Sequence, residues 1–187
     1  MRMEYAYVPN SLFKQEYALS LAQEYAEMML YSLVAFSLPF IMGHEQLLVG
    51  SVVNCALVLA ALNLRGARLL PVILLPSVGA LLAGMLFGPQ SASLFYMLPF
   101  IWVGNALLVF SMKELVLSRK QNRLAALGAG ASAKTVFLFS AASALLFFGL
   151  VPAQFILAFG MLQLATALCG GTAALGVQEA KRHLAAA

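Results

Sequence analysis

The sequence predicts an all-α integral membrane protein with six transmembrane helices and with the N and C termini in the cytoplasm. The first observation is composition, because 63% of the 187 residues are apolar and only 10% are charged. Soluble domains carry roughly 25% charged residues. So few charges leave the surface of a soluble protein of this length uncovered. The composition therefore excludes a soluble enzyme, a nucleic-acid-binding domain and a disordered chain.

The second observation is a series of six apolar runs, each close to the about 20 residues that cross a bilayer as a helix. They comprise residues 25–42, 46–64, 69–87, 94–112, 135–151 and 153–177. Four of the connections between them are short. The fourth connection, residues 113–134, is predicted to be a long basic loop. It is either a solvated loop or a short amphipathic helix along the membrane surface.

The third observation is the placement of the basic residues in alternate connections. Nine of them follow the second, fourth and sixth runs: Arg65, Arg68, Lys113, Arg119, Lys120, Arg123, Lys134, Lys181 and Arg182. The connections after the first, third and fifth runs contain no Lys or Arg. Under the positive-inside rule, this asymmetry predicts cytoplasmic termini.

The flanking residues complete a three-part organisation. Residues 1–24 form a cytoplasmic or interfacial N-terminal segment, residues 25–178 the transmembrane domain and residues 179–187 a cytoplasmic tail. Ser11 is a suitable helix N-cap, and mixed apolar and polar side chains follow it. An interfacial helix, a cytoplasmic extension of the first membrane helix and a solvated leader all remain open for this segment.

Polar side chains at membrane depth are the main candidates for function. Asn54, Asn105, Gln163 and Thr166 lie well inside their runs, where hydrogen bonding between helices is the favoured role and ligand binding the alternative. At the outer end, Gln90 and Gln154 are either interfacial or ligand contacts. In the first outer turn, Glu45 either caps the next helix or, with His44, contacts a ligand.

The fourth run combines aromatic rings with an amide. Tyr96, Pro99, Trp102 and Asn105 recur every three residues, which predicts a shared helical face. Such a face suits a small ring-containing ligand approached from outside. The alternative for Tyr96 and Trp102 is an interfacial aromatic belt.

Small residues form stripes that allow helices to approach closely. Gly84 and Gly88 make a GxxxG pattern in the third run, and several glycines lie in the sixth. At the start of the first helix, Ala18, Ala22 and Ala26 recur every four residues. We expect this last stripe to contact another subunit.

No catalytic or nucleotide-binding pattern occurs in the sequence, so we expect neither enzymatic activity nor ATP hydrolysis by this chain. No cofactor is predicted. The two cysteines, Cys55 and Cys169, lie inside apolar runs and are predicted to be small packing residues.

Six short helices, cytoplasmic termini, a length near 190 residues and the AxxxA pattern of Ala18 and Ala22, extended by Ala26, resemble one known family. The chain resembles the substrate-binding S component of an energy-coupling factor (ECF) transporter. The resemblance covers the whole chain but is architectural, because members of this family share little sequence.

This resemblance implies that the chain binds a vitamin or related micronutrient on the outer face of a prokaryotic cell membrane. Delivery would require a transmembrane T component and two ATPases, with no role for nucleic acid. The implied ligand contacts, in helices four to six and the outer loops, are His44, Glu45, Gln90, Tyr96, Trp102, Asn105, Gln154 and Gln163, and the implied partner contacts are Ala18, Ala22 and Ala26.

The resemblance also bears on the kind of substrate. A metal ion is disfavoured, because the N-terminal histidine of the nickel and cobalt members is absent. Two other interpretations stay open beside the transporter subunit. One is a non-catalytic anchoring subunit of a larger membrane complex, and the weaker one is a membrane enzyme acting on lipid.

Overall fold

The computed structural model describes the backbone of residues 10–186 and the side chains of residues 11–183, so the first nine residues of the predicted N-terminal segment lie outside it. Seven α-helices follow one another, and no strand occurs among the described residues. They are α1 Leu21–Met42, α2 Gln46–Asn63, α3 Leu69–Ala83, α4 Leu94–Met112, α5 Arg123–Phe147, α6 Gln154–Phe159 and α7 Met161–Ala186.

Six helical segments of the described chain are long and apolar enough to cross a membrane. A 3₁₀ helix, Gly88–Ser93, precedes α4 and a π-helical turn, Lys113–Ser118, follows it, which together make a segment of 31 residues. α6 and α7 together make the sixth segment and are separated only at Gly160. The prediction of an all-helical chain with six membrane-length helices is confirmed, and the orientation of the termini stays a prediction.

The predicted long loop at residues 113–134 is wrong. The π-helical turn extends the fourth segment to Ser118, and α5 begins at Arg123 with Asn122 as its N-cap. The Asn122 side chain accepts hydrogen bonds from the backbone of Leu124 and Ala125, which explains why a helix starts here. α5 therefore includes residues 123–134, the second half of the predicted loop, and Lys134 lies within this helix.

Residues 10–20 are neither an interfacial helix nor a solvated leader, and only residues 21–24 extend the first helix toward the N-terminus. After a short 3₁₀ helix, Asn10–Phe13, the chain is irregular until α1 begins. The Glu16 backbone N–H donates to the Leu62 carbonyl, and the Gln15 side chain donates to the Asn63 carbonyl. The segment thus covers the end of the bundle where α2 finishes.

Most of the basic residues gather at this same end of the bundle, which we call the basic end. Buried Glu24 contacts Arg65 and Arg68, and Glu16 contacts Arg123 and Arg182. In addition, Glu27 pairs with Lys181 near the C-terminal end of α7. Ion pairs between segments that are far apart in the sequence therefore hold the basic end together. Of the nine basic residues, Lys134 lies away from this end.

α2 is the central helix of the bundle. It packs against α1, α4 and, most extensively, α7. From Ala56 to Asn63 every residue of α2 is buried. One apolar cluster surrounds this half of α2, and a second surrounds Met97, Leu138 and Phe155 nearer the opposite end.

Two glycines explain the closest helix contacts. A Cβ atom on Gly79 would lie 2.2 Å from the Phe36 carbonyl oxygen of α1, and one on Gly170 would lie 2.0 Å from the Ser51 carbonyl oxygen of α2. The glycines of the sixth run thus serve helix packing at Gly170. The predicted GxxxG stripe is wrong, because Gly84 and Gly88 follow the end of α3 and have positive φ.

We expect Gly170→Ala to destabilise the protein by about 1–3 kcal/mol, because the new methyl group forces α7 away from α2. The measurement is the thermal unfolding midpoint in mild detergent. Gly176→Ala is the matched control on the same helix, since a Cβ there has open space. Equal midpoints for the two variants would contradict the close packing of α7 on α2.

Candidate functional site

A cavity of about 120 Å³ lies between α2, α3, α4, α5 and the broken sixth segment. Gln46, Leu86 and Phe87 line it, and they belong to the start of α2 and the α3–α4 connection. The cavity is therefore near the end opposite the basic end. Seven polar side chains line it: Gln46, Asn54, Ser77, Asn105, Lys134, Gln163 and Thr166.

The helices around the cavity are interrupted. Pro76 lies inside α3 and lines the cavity, and proline removes one helical hydrogen bond. Gly160 separates α6 from α7 between two lining residues, Phe159 and Leu162. At membrane depth, interrupted helices are tolerated where they are buried in protein or line a cavity. Such breaks are common at binding sites between transmembrane helices.

Lys134 is the most unusual residue of the site, because only 2% of it is exposed. Its Nζ donates to Asn54 Oδ1 at 2.6 Å. Asn54 Nδ2 donates in turn to the Gly50 carbonyl and to Thr166 Oγ1, at 2.9 and 3.3 Å. The hydroxyl of Thr166 donates to the Gln163 carbonyl at 3.1 Å. This network joins α5, α2 and α7 at the centre of the bundle.

A second polar group lies where α4 meets α3. Asn105 Nδ2 donates to the Ile73 carbonyl at 2.8 Å, in the turn before Pro76. Trp102 Nε1 donates to Ser77 Oγ at 2.9 Å, and Ser77 donates to the Leu74 carbonyl. Asn105 and Ser77 thus bond to α3 backbone carbonyls just before the proline and form part of the cavity lining, and Trp102 lies behind Ser77.

The end of the cavity nearest the α3–α4 connection is bounded by aromatic rings. The Phe87 ring lies 4.6 Å from that of Phe155 and 6.2 Å from that of Phe159. Gln46 Nε2 donates to the Leu86 carbonyl at 2.8 Å, and Gln154 Nε2 donates to the Phe87 carbonyl at 3.4 Å. A few hydrogen bonds and ring contacts thus hold this connection over the site.

Of the eight predicted ligand contacts, the structure places Asn105 and Gln163 in the cavity lining. Trp102 is one hydrogen bond away, through Ser77. The remaining five do not line the cavity: His44, Glu45, Gln90, Tyr96 and Gln154. Glu45 occupies the N-cap position of α2, but its side chain makes no capping hydrogen bond.

The expectation that Tyr96, Pro99, Trp102 and Asn105 share one helical face is wrong. Tyr96 and Pro99 are exposed, whereas Asn105 is buried. Each residue of an α-helix turns by about 100°, so three residues fall about 60° short of a full turn. Over nine residues this drift reaches half a turn, which puts Tyr96 and Asn105 on opposite sides of α4.

Lys134 is the residue of the site that the sequence patterns missed. In the sequence, its charge indicates a cytoplasmic loop, although residues 124–133 carry no charge and are rich in alanine and glycine. That composition is typical of a packed membrane helix, so it is the sequence signal that indicates a helical position for Lys134. Asn54 and Thr166 were assigned to contacts between helices, and the structure shows that they also line the cavity.

The predicted partner contacts lie on and just before α1. Ala22 and Ala26 are exposed on the first turns of this helix. Ala18 is also exposed but precedes the Ser20 N-cap, so the three alanines do not form one continuous helical stripe. Beside them, α1 exposes Tyr25, Met29 and other large apolar side chains.

We expect Asn54→Leu to destabilise the protein by roughly 1.5–3 kcal/mol, because it removes the acceptor of the buried Lys134 side chain. Replacing both residues, as Asn54→Leu with Lys134→Met, should restore most of the loss. The measurement is a double-mutant cycle on the unfolding midpoint in detergent. Strictly additive effects would contradict the coupling between the two side chains.

The lining offers amide, hydroxyl and ammonium groups on apolar walls, which bind a small ligand by hydrogen bonds and charge. Within the described residues, no group of three His, Cys, Asp or Glu side chains is placed to hold a metal ion. Comparison with protein-family models, with curated proteins and with solved structures finds no match for this chain.

Proposed function

We propose that the chain is a membrane-embedded binding subunit that captures a small vitamin-like molecule in this cavity and delivers it across the membrane. The single observation that carries the proposal is a cavity between five of the six membrane-length segments, with seven polar side chains in an otherwise apolar lining. Polar side chains at this depth are unfavourable in lipid, so their concentration around one cavity indicates a binding role.

The form of the cavity supports binding rather than catalysis. Its polar groups are mainly amides and hydroxyls, which recognise a ligand by hydrogen bonding. Aromatic and aliphatic side chains, among them Phe87, Ile101 and Phe159, supply walls for a ring. The predicted outer face is the end nearest the cavity, which fits capture from outside the cell.

Delivery in this proposal depends on partner subunits. The sequence contains no nucleotide-binding motif, and the family resemblance implies ATPases joined through a T component as the source of energy. α1 is the least buried of the six membrane-length segments, because only 22% of the residues in its apolar 18-residue stretch are buried by the rest of the chain. Its exposed apolar face is the surface on which we place the T component, with Ala22 and Ala26 at the contact.

The first test is direct identification of a bound molecule. We expect protein purified in mild detergent to release one small molecule in stoichiometric amount on denaturation, measured by mass spectrometry. Gln163→Leu should lose this molecule, because the side chain lines the cavity. Gln90→Leu is the matched control, since Gln90 is exposed and outside the lining.

Two outcomes would count against binding in this cavity. One is equal release from wild type and Gln163→Leu, which would place the molecule elsewhere. The other is wild-type protein that carries no small molecule, which would favour the anchoring subunit.

The second test concerns the partner surface. We expect Ala22→Trp to prevent co-purification of the T component and its ATPases from membranes of the source cells, because a bulky ring prevents close helix approach. Ligand release should be unchanged. Ala133→Trp is the matched control, since Ala133 is exposed on α5. Normal assembly of Ala22→Trp would show that the contact lies elsewhere.

A further inference from the structure

We propose that the ligand carries one anionic group, such as a carboxylate, and that Lys134 provides its counter-charge. This inference rests on the proposed binding function, because it names the chemical class of ligand for the same cavity. The observation behind it is a buried lysine that faces a cavity whose lining includes no acidic side chain.

The charge in and around the cavity is unbalanced. Lys134 is the one charged residue of its lining, and none of the salt bridges among the described residues involves it. Glu16, Glu24 and Glu27 pair with basic residues at the basic end, and Glu45 is exposed on the α1–α2 turn. A buried ammonium group is strongly unfavourable without a counter-charge. An anionic ligand supplies this counter-charge.

Lys113 shows how the protein stabilises a buried lysine without a ligand. Its side chain is also fully buried, but its Nζ donates to the Leu64 carbonyl at 2.6 Å and to the Lys14 carbonyl at 2.7 Å. The Leu64 carbonyl lies at the C-terminal end of α2, where the helix dipole favours a cation. Lys134 lies at mid-helix and has one amide acceptor, Asn54.

The hydrogen-bond network leaves N–H donors for a ligand. Three successive bonds run in one direction, from Lys134 to Asn54, from Asn54 to Thr166 and from Thr166 to the Gln163 carbonyl. A lysine ammonium has three N–H donors, so two remain. Gln163 Nε2 is also buried, with no acceptor among the described residues. A carboxylate presents two acceptor oxygens, which match these donors.

The size of the cavity limits the rest of the ligand. Its volume of about 120 Å³ is slightly below the roughly 150 Å³ of an engineered protein cavity that binds benzene. Phe159 and Leu162 are among the apolar side chains on its walls. The volume limits the ligand to about one small ring, and the apolar walls and Lys134 favour an aromatic or heteroaromatic ring that bears a carboxylate.

The test compares benzoate with its neutral analogue benzamide at constant ionic strength. Trp102 is the only tryptophan of the chain and lies one hydrogen bond from the lining, so its fluorescence reports binding, with the unfolding midpoint as a second readout. We expect benzoate to bind wild type roughly tenfold or more tightly than benzamide. Lys134→Met should remove this preference, and Lys134→Gln provides a second variant if the first folds poorly.

Lys113→Met is the matched control, because it removes a buried ammonium group outside the cavity, and it should keep the preference for benzoate. Equal binding of benzamide, or benzoate binding that survives both Lys134 variants, would overturn the anionic class and leave the proposed function intact. Absence of binding by either probe would also overturn this inference. Only the additional absence of any co-purified molecule would count against the proposed function.

Discussion

The central constraint on this structure is the placement of a lysine in the middle of an apolar helical bundle. Lys134 must find hydrogen-bond acceptors at a depth where neither water nor lipid provides them. The bond to Asn54 meets this need in part and ties α5 to the central helix α2. Through Thr166 the same network includes α7, so one buried hydrogen-bond network connects three helices. The cavity lies where these helices, together with α3 and the broken α6–α7 segment, leave space between them.

The two ends of the bundle are held in different ways. At the basic end, Glu24 and Glu16 each contact two arginines, and the N-terminal segment covers the end of α2. At the opposite end, the α3–α4 connection is held by phenylalanine contacts and by the amides of Gln46 and Gln154. Charge-assisted contacts are stronger than neutral ones. The opposite end therefore relies on weaker individual contacts, and the cavity lies beside it.

Part of the site was predictable from residue type alone. Asn105 and Gln163 were found because amides inside an apolar run need buried partners, and the structure places both in the cavity lining. The three-residue spacing that predicts a shared face for Tyr96 and Asn105 is misleading, because the phase of Tyr96 on α4 turns it away from the bundle. The sequence alone does not locate Lys134, because a charge at the edge of an apolar run also indicates a loop. Only the course of α5 from Arg123 shows that this charge is internal.

The sequence by itself determined the helical class and the number of membrane-length segments, because hydropathy and length depend on local composition. The tertiary structure decided which polar residues meet. Gly170 allows α7 to lie against α2, and this close approach brings Thr166 to Asn54. It also decided that residues 14–20 close the basic end instead of forming a helix. These outcomes depend on contacts between residues far apart in the chain, and no local pattern encodes them.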